Sequence, residues 1–99
     1  MESDNFFAIK DKYPETEGHS LVIPKKHIIT LLDIPDNLGN ELIGFVKKVS
    51  EKLMDDGFGS GFNVIMNNFE VAGQEVMHAH IHIIPRKKGD GIRFFTKSK

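Results

Sequence analysis

Residues 78–85 read His78-Ala79-His80-Ile81-His82-Ile83-Ile84-Pro85, a strict alternation of imidazole and apolar side chains. Side chains of an extended chain point to opposite faces in turn, so a period of two commits this run to a strand with one buried face. Ala79, Ile81 and Ile83 belong to the buried side, and His78, His80 and His82 share the other. Such a strand needs a sheet beside it and an apolar layer beneath it. A single histidine here would ordinarily be a hydrogen-bonded core residue. Three on one face crowd their donors and oppose one another's protonation, which suits chemistry better than stability.

The remaining segments supply the sheet and the layer. Residues 5–10 (NFFAIK) and 19–24 (HSLVIP) read as strands, separated by Asp11-Lys12-Tyr13-Pro14. Proline fixes φ there, and the aspartate bonds its own backbone. Over 36–55 the period changes: Leu38, Leu42, Phe45 or Val46, Val49 and Leu53 recur at three- and four-residue steps, the stripe of an amphipathic helix. Asp36 suits its N-cap and Gly57 its C-terminal stop. Gly39 and Gly44 each cost about 1 kcal/mol against alanine, which predicts that something packs closely on them. Residues 61–67 (GFNVIMN) form a further strand, with Phe62, Val64 and Met66 on one face and Asn63, Ile65 and Asn67 on the other. A loop holding Gly73 and Gln74 precedes the histidine run, and Gly89-Asp90-Gly91 ends it. This order describes an α+β fold, an antiparallel meander sheet with one main helix on one face.

Ninety-nine residues, 39% hydrophobic and 27% charged, make one domain over 1–99. Chains of this size bury a little over roughly 60% of their unfolded surface, so the core is thin and a homodimer is expected. A net charge of −1 argues against a nucleic-acid surface held by bulk charge. Without cysteine there is neither a disulfide nor a thiolate zinc site. No apolar stretch has the length of a membrane span, and Met1-Glu2-Ser3-Asp4 does not read as a signal peptide, so no membrane partner and a cytoplasmic location are expected.

Two chemistries compete for the histidines. A metal site is one, but the Cα atoms of His78 and His82 lie roughly 13 Å apart on an extended strand, at about 3.3 Å per residue, so all three rings meet one ion only at full stretch. Nucleophilic catalysis is the other. A neutral imidazole attacks phosphorus or an acyl carbon without first losing a proton, and His80 stands in the middle of the set. A phosphate would then find donors in His78, His82 and the N–H groups near Gly73-Gln74-Glu75.

The run His78-Ala79-His80-Ile81-His82-Ile83-Ile84 resembles the motif of the histidine-triad (HIT) family, and the resemblance extends over nearly the whole chain. Asp11-Lys12-Tyr13-Pro14, with Gly18-His19-Ser20-Leu21-Val22-Ile23-Pro24-Lys25-Lys26-His27, is similar to that family's ribose-binding turn and following strand. Asn67 and Gly73-Gln74-Glu75-Val76 are similar to its phosphate-side loop. The resemblance implies a nucleotidyl hydrolase or transferase working by double displacement on a nucleoside phosphoramidate, dinucleoside polyphosphate, adenylate or nucleotide sugar. His80 would be the nucleophile, with its tautomer fixed by the His78 carbonyl. His82 would meet phosphate oxygens, and His27 would support the site. Asp11 would hold the ribose, Asn67 would face the leaving group, and Gly73, Gln74 and Glu75 would line the phosphate side. Phe6, Phe7 and Ile9 would form one wall of the base pocket.

The resemblance further implies a two-fold dimer, no required cofactor, and a divalent metal only as part of a substrate complex. Against the family pattern, the sequence starts at the segment corresponding to Glu2–Asp11, so a HIT-like fold lacking the usual N-terminal helix and first strand is expected. The chain also has Glu75 where several branches carry Ser or Thr. Ile83-Ile84-Pro85-Arg86 resembles the dinucleoside-polyphosphate-hydrolase and general bacterial branches more than the phosphoramidase branch. The alternatives from other classes are a nucleotide-binding module without turnover and a metal-dependent hydrolase using the histidine cluster.

Overall fold

The computed structural model describes residues 1–94; the last five residues of the expected 1–99 domain lie outside them. Four strands form one sheet, β1 (Phe6–Lys10), β2 (Ser20–Pro24), β3 (Gly61–Ile65) and β4 (Ile81–Arg86), with one long helix α1 (Gly39–Asp55) between β2 and β3. Every pairing is antiparallel and the spatial order is β1-β2-β4-β3. The sheet therefore departs from simple sequence order in one respect. The helical crossover carries β3 to the outer edge, and the histidine-bearing β4 returns between β2 and β3 as a central strand. The fold is the expected α+β arrangement of one main helix on an antiparallel sheet.

The helix buries the stripe read from the sequence. Leu42, Phe45, Val49 and Leu53 pack with Phe6, Val22, Ile81 and Ile83 of the sheet, each side chain contributing roughly 1.5–3 kcal/mol by leaving water. Residues 36–38 form a turn of 3-10 helix before α1, so Asp36 opens that turn and Leu38 occupies the N-cap of the α-helix. At the other end Gly57 takes φ +83°, its N–H bonds the Met54 carbonyl, and the Phe58 N–H reaches back to Leu53. That is a Schellman ending, which needs a left-handed residue at the glycine. The close packing expected at Gly39 and Gly44 is not found among the described residues: a Cβ at either would meet nothing of them within 4 Å.

Residues of one cross-strand row share a face, and the register builds two rows. Ala8, Val22 and Ile81 form one row, and the helix-facing core includes Val22 and Ile81. Ile9, Leu21, His82 and Ile65 form the adjacent row, facing away from the helix. The histidine run is shorter as a strand than its alternation suggests. Ladder pairing starts at Ile81, because β2 pairs with β4 only through Val22. Before that point the Ala79 N–H bonds the Ile28 carbonyl at 2.6 Å. Burial nevertheless alternates from His78 to Ile83, with the three histidines half-buried and Ala79, Ile81 and Ile83 buried. Among the described residues no helix is long and apolar enough to cross a membrane.

Candidate active site

The site is assembled where the connection between β1 and β2 meets the histidine run. The Asp11 N–H bonds the His19 carbonyl, closing this hairpin, and Asp11 Oδ1 accepts the Tyr13 N–H at 2.9 Å, the self-bonding turn its composition implies. Gly18, at φ +90°, turns the chain just before His19. A Cβ there would come within 2.7 Å of the Phe58 ring, so conformation and space both require glycine. The turn leaves His19 buried, with Asp11 Oδ2 3.4 Å from its Nε2. The register Leu21↔His82 then brings His19, two residues before Leu21, beside the His82 ring. His19 Nε2 and His82 Nδ1 lie 2.9 Å apart, and Asp11 Oδ2 stands 4.0 Å from the same His82 nitrogen.

Backbone partners decide where the ring protons sit, because a carbonyl only accepts and an amide N–H only donates. His80 Nδ1 lies 2.9 Å from the His78 carbonyl, so Nδ1 carries the proton and Nε2 keeps its lone pair. His78 Nε2 lies 2.9 Å from the Pro24 carbonyl and donates to it. The Glu15 N–H donates to His19 Nδ1 at 3.0 Å, which places the proton of neutral His19 on Nε2. The rings of His80 and His82 pack edge to face with centroids 5.1 Å apart. The third histidine belongs to a different group: the His78 ring packs edge-on against His27, centroids 5.3 Å apart. Burial lowers the pKa of both His19 and His82 below the ordinary imidazole value. For His82 the nearby His80 and His19 add to that effect, and for both rings the Asp11 carboxylate opposes it.

Asp11, Tyr13, His19, Asn67, His82 and Phe94 line a cavity of about 390 Å³. Phe94 lies under the Arg86 guanidinium, 5.4 Å from its ring centroid. Arg86 is itself clamped by Asp90, Asn63 and the Ile92 carbonyl. Ile9 is half exposed and shares the cross-strand row of His82 through Leu21. Phe6 of the expected base wall is instead fully buried in the core, because it faces the helix. Gly73, at φ +96°, abuts Asn67, whose amide nitrogen would be 3.6 Å from an added Cβ.

Gln74 is turned inward, not toward a phosphate. It is 2% exposed, its Oε1 accepts the Phe69 N–H, and its Nε2 donates to the Ile29 and Val76 carbonyls. The N–H groups of Gly73 and Gln74 are likewise engaged, with the Glu70 and Phe69 carbonyls. Glu75 is exposed.

Among the described residues one group, Asp11, His19 and His82, brings ligand-type atoms within 4.8 Å of one another. Binding an ion there would need the lone pair of His19 Nε2, and therefore a proton on Nδ1, where the Glu15 N–H already donates. The His19 Nε2–H is instead committed to His82 Nδ1 with Asp11 alongside, and the Glu15 bond that fixes it opposes use of the three as a ligand set. His19 is the residue that sequence reasoning passed over. In the sequence it reads as the start of a strand, and only the pairing of β2 with β4 reveals its partner.

Residues 1–89 match the HIT domain family. A HIT-like protein of Methanocaldococcus jannaschii is 47% identical over 90 residues, covering 91% of this chain and 69% of that protein. An adenosine 5'-monophosphoramidase of Saccharomyces cerevisiae is 37% identical over 87 residues, covering 88% of this chain and 52% of its own length. The crystal structure of a HIT family member from Bacillus subtilis superposes with a TM-score of 0.88 at 39% identity, over 100% of this chain and 71% of that one.

Proposed function

The chain belongs to the HIT family, and on that premise we propose that it is a nucleotidyl hydrolase or transferase. It cleaves at the α-phosphate of a nucleoside phosphoramidate, dinucleoside polyphosphate or adenylate through a covalent nucleotidyl-His80. The observation that carries this reading is the 2.9 Å contact of His80 Nδ1 with the His78 carbonyl. It leaves Nε2 as a neutral, fixed lone pair beside the His82 ring.

In the first step an Nε2–P bond forms, the bond from phosphorus to the leaving nitrogen or oxygen breaks, and the leaving group takes up a proton. In the second, water attacks phosphorus, the N–P bond breaks, and the nucleoside monophosphate leaves with release of a proton. His82 donates to a phosphate oxygen, and Asn67 faces the leaving group across the cavity. Asp11 keeps lone pairs for the ribose hydroxyls beyond the one used by the Tyr13 N–H. Ile9 and Leu21 form an apolar wall in the same row. His78 and His27 brace the backbone that carries the His78 carbonyl, and the loop of Gly73, Gln74 and Glu75 bounds the phosphate side. The scheme requires no cofactor, and any divalent metal arrives with the substrate phosphates.

The yeast relative makes an adenosine phosphoramidate the first substrate to try, followed by dinucleoside polyphosphates and adenylates. His80→Ala is expected to lose about a thousandfold or more in turnover while AMP still binds, because covalent catalysis supplies several kcal/mol of the barrier reduction. An acid-labile, alkali-stable nucleotidyl adduct should be trapped on the natural chain and be absent from His80→Ala. An adduct on another residue would overturn the mechanism. AMP binding with no turnover of any substrate over hours would identify a binding module instead.

A further inference from the structure

We propose that His19 is a positioning residue whose Nε2–H locks His82 into the Nε2–H tautomer, so that His82 presents one fixed N–H donor to the substrate phosphate. The consequence for substrate rests on the reading of the site given above; the tautomer itself rests only on geometry. The chain of donors runs in one direction. Glu15 N–H donates to His19 Nδ1 at 3.0 Å, so the proton of neutral His19 is on Nε2. That nitrogen lies 2.9 Å from His82 Nδ1, which must therefore accept, leaving the His82 proton on Nε2. A backbone amide cannot reverse its role. The direction is thus set by the fold and not by solvent.

The same chain opposes charging of His82. Protonating its Nδ1 would set two N–H groups against each other across 2.9 Å. The rings are tilted by 51° with centroids 5.1 Å apart, and His19 is almost wholly buried, so neither can turn away cheaply. The groups that face the pair are the carboxylates of Asp11 and Glu15 from the β1–β2 connection and the ring of His80 from its own run. Asp11 Oδ2, at 3.4 Å from His19 Nε2 and 4.0 Å from His82 Nδ1, is the one acceptor that could draw the His19 proton aside. In the geometry present the ring nitrogen is closer. His82 is therefore a neutral donor that cannot drift to the opposite tautomer, in which a lone pair would face the phosphate. Wrong-tautomer histidines are severely impaired in catalysis even when correctly placed.

The test is long-range proton–nitrogen correlation on the full chain with 15N-labelled histidine, without ligand, from about pH 8 to 5. His82 and His19 are both expected as Nε2–H tautomers, with His82 titrating below the ordinary imidazole value. In His19→Leu, His82 should populate both tautomers and titrate at higher pH. His19→Gln, whose amide nitrogen reaches the position of Nε2, should restore the fixed form. With a turned-over substrate, His19→Leu should lower kcat by about 10–100-fold with a smaller change in KM, and His19→Gln should recover most of it, the range seen when partners that orient a functional histidine are removed. A His82 found as Nδ1–H in the natural chain, or one unchanged in His19→Leu, would overturn the proposal. If His19→Leu does not fold, the natural chain's spectrum and His19→Gln still decide it. The expected tautomers in a protein that turns over no nucleotide would reject the proposed function and leave this inference standing.

Discussion

At the scale of single residues, the buried pair His19 and His82 makes a statement about stability as well as reactivity. Burial favours their neutral forms in the folded chain, so both titrate below 6.5 there, while in the unfolded chain they return to that value. Between 6.5 and the folded-state values the unfolded chain binds more protons, so acid favours unfolding. The stabilisation is fully present above 6.5 and is lost as pH falls through the folded-state values. Urea midpoints should be level from about pH 8 to 7 and should fall between about 6.5 and 5, with part of that fall absent in His19→Gln. A flat midpoint over that window would contradict the neutral pair. The histidines of the run were legible because alternation is a local signal. His19 was not, since it owes its role to the register Leu21↔His82, a contact across 61 positions that no local pattern encodes.

At the scale of elements, the helix and strands were legible wherever periodicity ran unbroken, and boundaries shifted where a neighbour ended. Residues 78–80 left the ladder because β2 stops pairing at Val22, and the helix start moved because residues 36–38 wind as 3-10. Gly44 differs for another reason: a low helix propensity does not by itself imply a close neighbour, and among the described residues none lies within 4 Å of a Cβ there. Gly44→Ala should therefore stabilise the fold by about 1 kcal/mol, read as a higher urea midpoint at unchanged slope.

The loop before the histidine run makes the opposite case. Gln74 bonds three backbone groups of that loop and of the 27–30 segment while fully buried. Gln74→Leu would strand them at about 1–3 kcal/mol for each group left unsatisfied, so a loss of several kcal/mol in the same urea assay is expected. Its exposed neighbour allows a control: Glu75→Ser should stay within about 0.5 kcal/mol. Equal effects at the two positions would show that Gln74 does not hold the loop. The resemblance to the HIT family implies a place on the phosphate side for Gln74. Its burial makes it the loop's internal brace.

At the scale of the whole molecule, the two edges of the sheet are treated differently, and a second copy of this chain would meet an open edge at one of them. Residues 1–3 cover the outer edge of β1: Ala8 N–H bonds the Met1 carbonyl, Ser3 N–H bonds that of Phe6, and Glu2 bridges Phe7. Among the described residues no strand pairs with the outer edge of β3. Val64 is 49% exposed although its row partner Ile83 lies in the core, and Phe62 is 45% exposed, so the helix-side face of β3 extends past the cover α1 provides. Beside it Lys47, Glu51, Met54 and Phe62 line a shallow cavity of about 320 Å³. A patch carrying both charge signs beside an open strand edge has the chemistry to pair with its own copy across a two-fold axis. The occupant we propose is therefore a second copy of this chain, apposed along β3 and the adjacent helix flank. Sedimentation equilibrium at tens of micromolar should return twice the 11.2 kDa chain mass. Val64→Lys, which places an unpaired charge on the patch while leaving Ile83 and the core untouched, should return the single-chain mass with unchanged circular dichroism. A natural chain that sediments as a monomer would remove the dimer, and a Val64→Lys variant that stays dimeric would move the interface off β3.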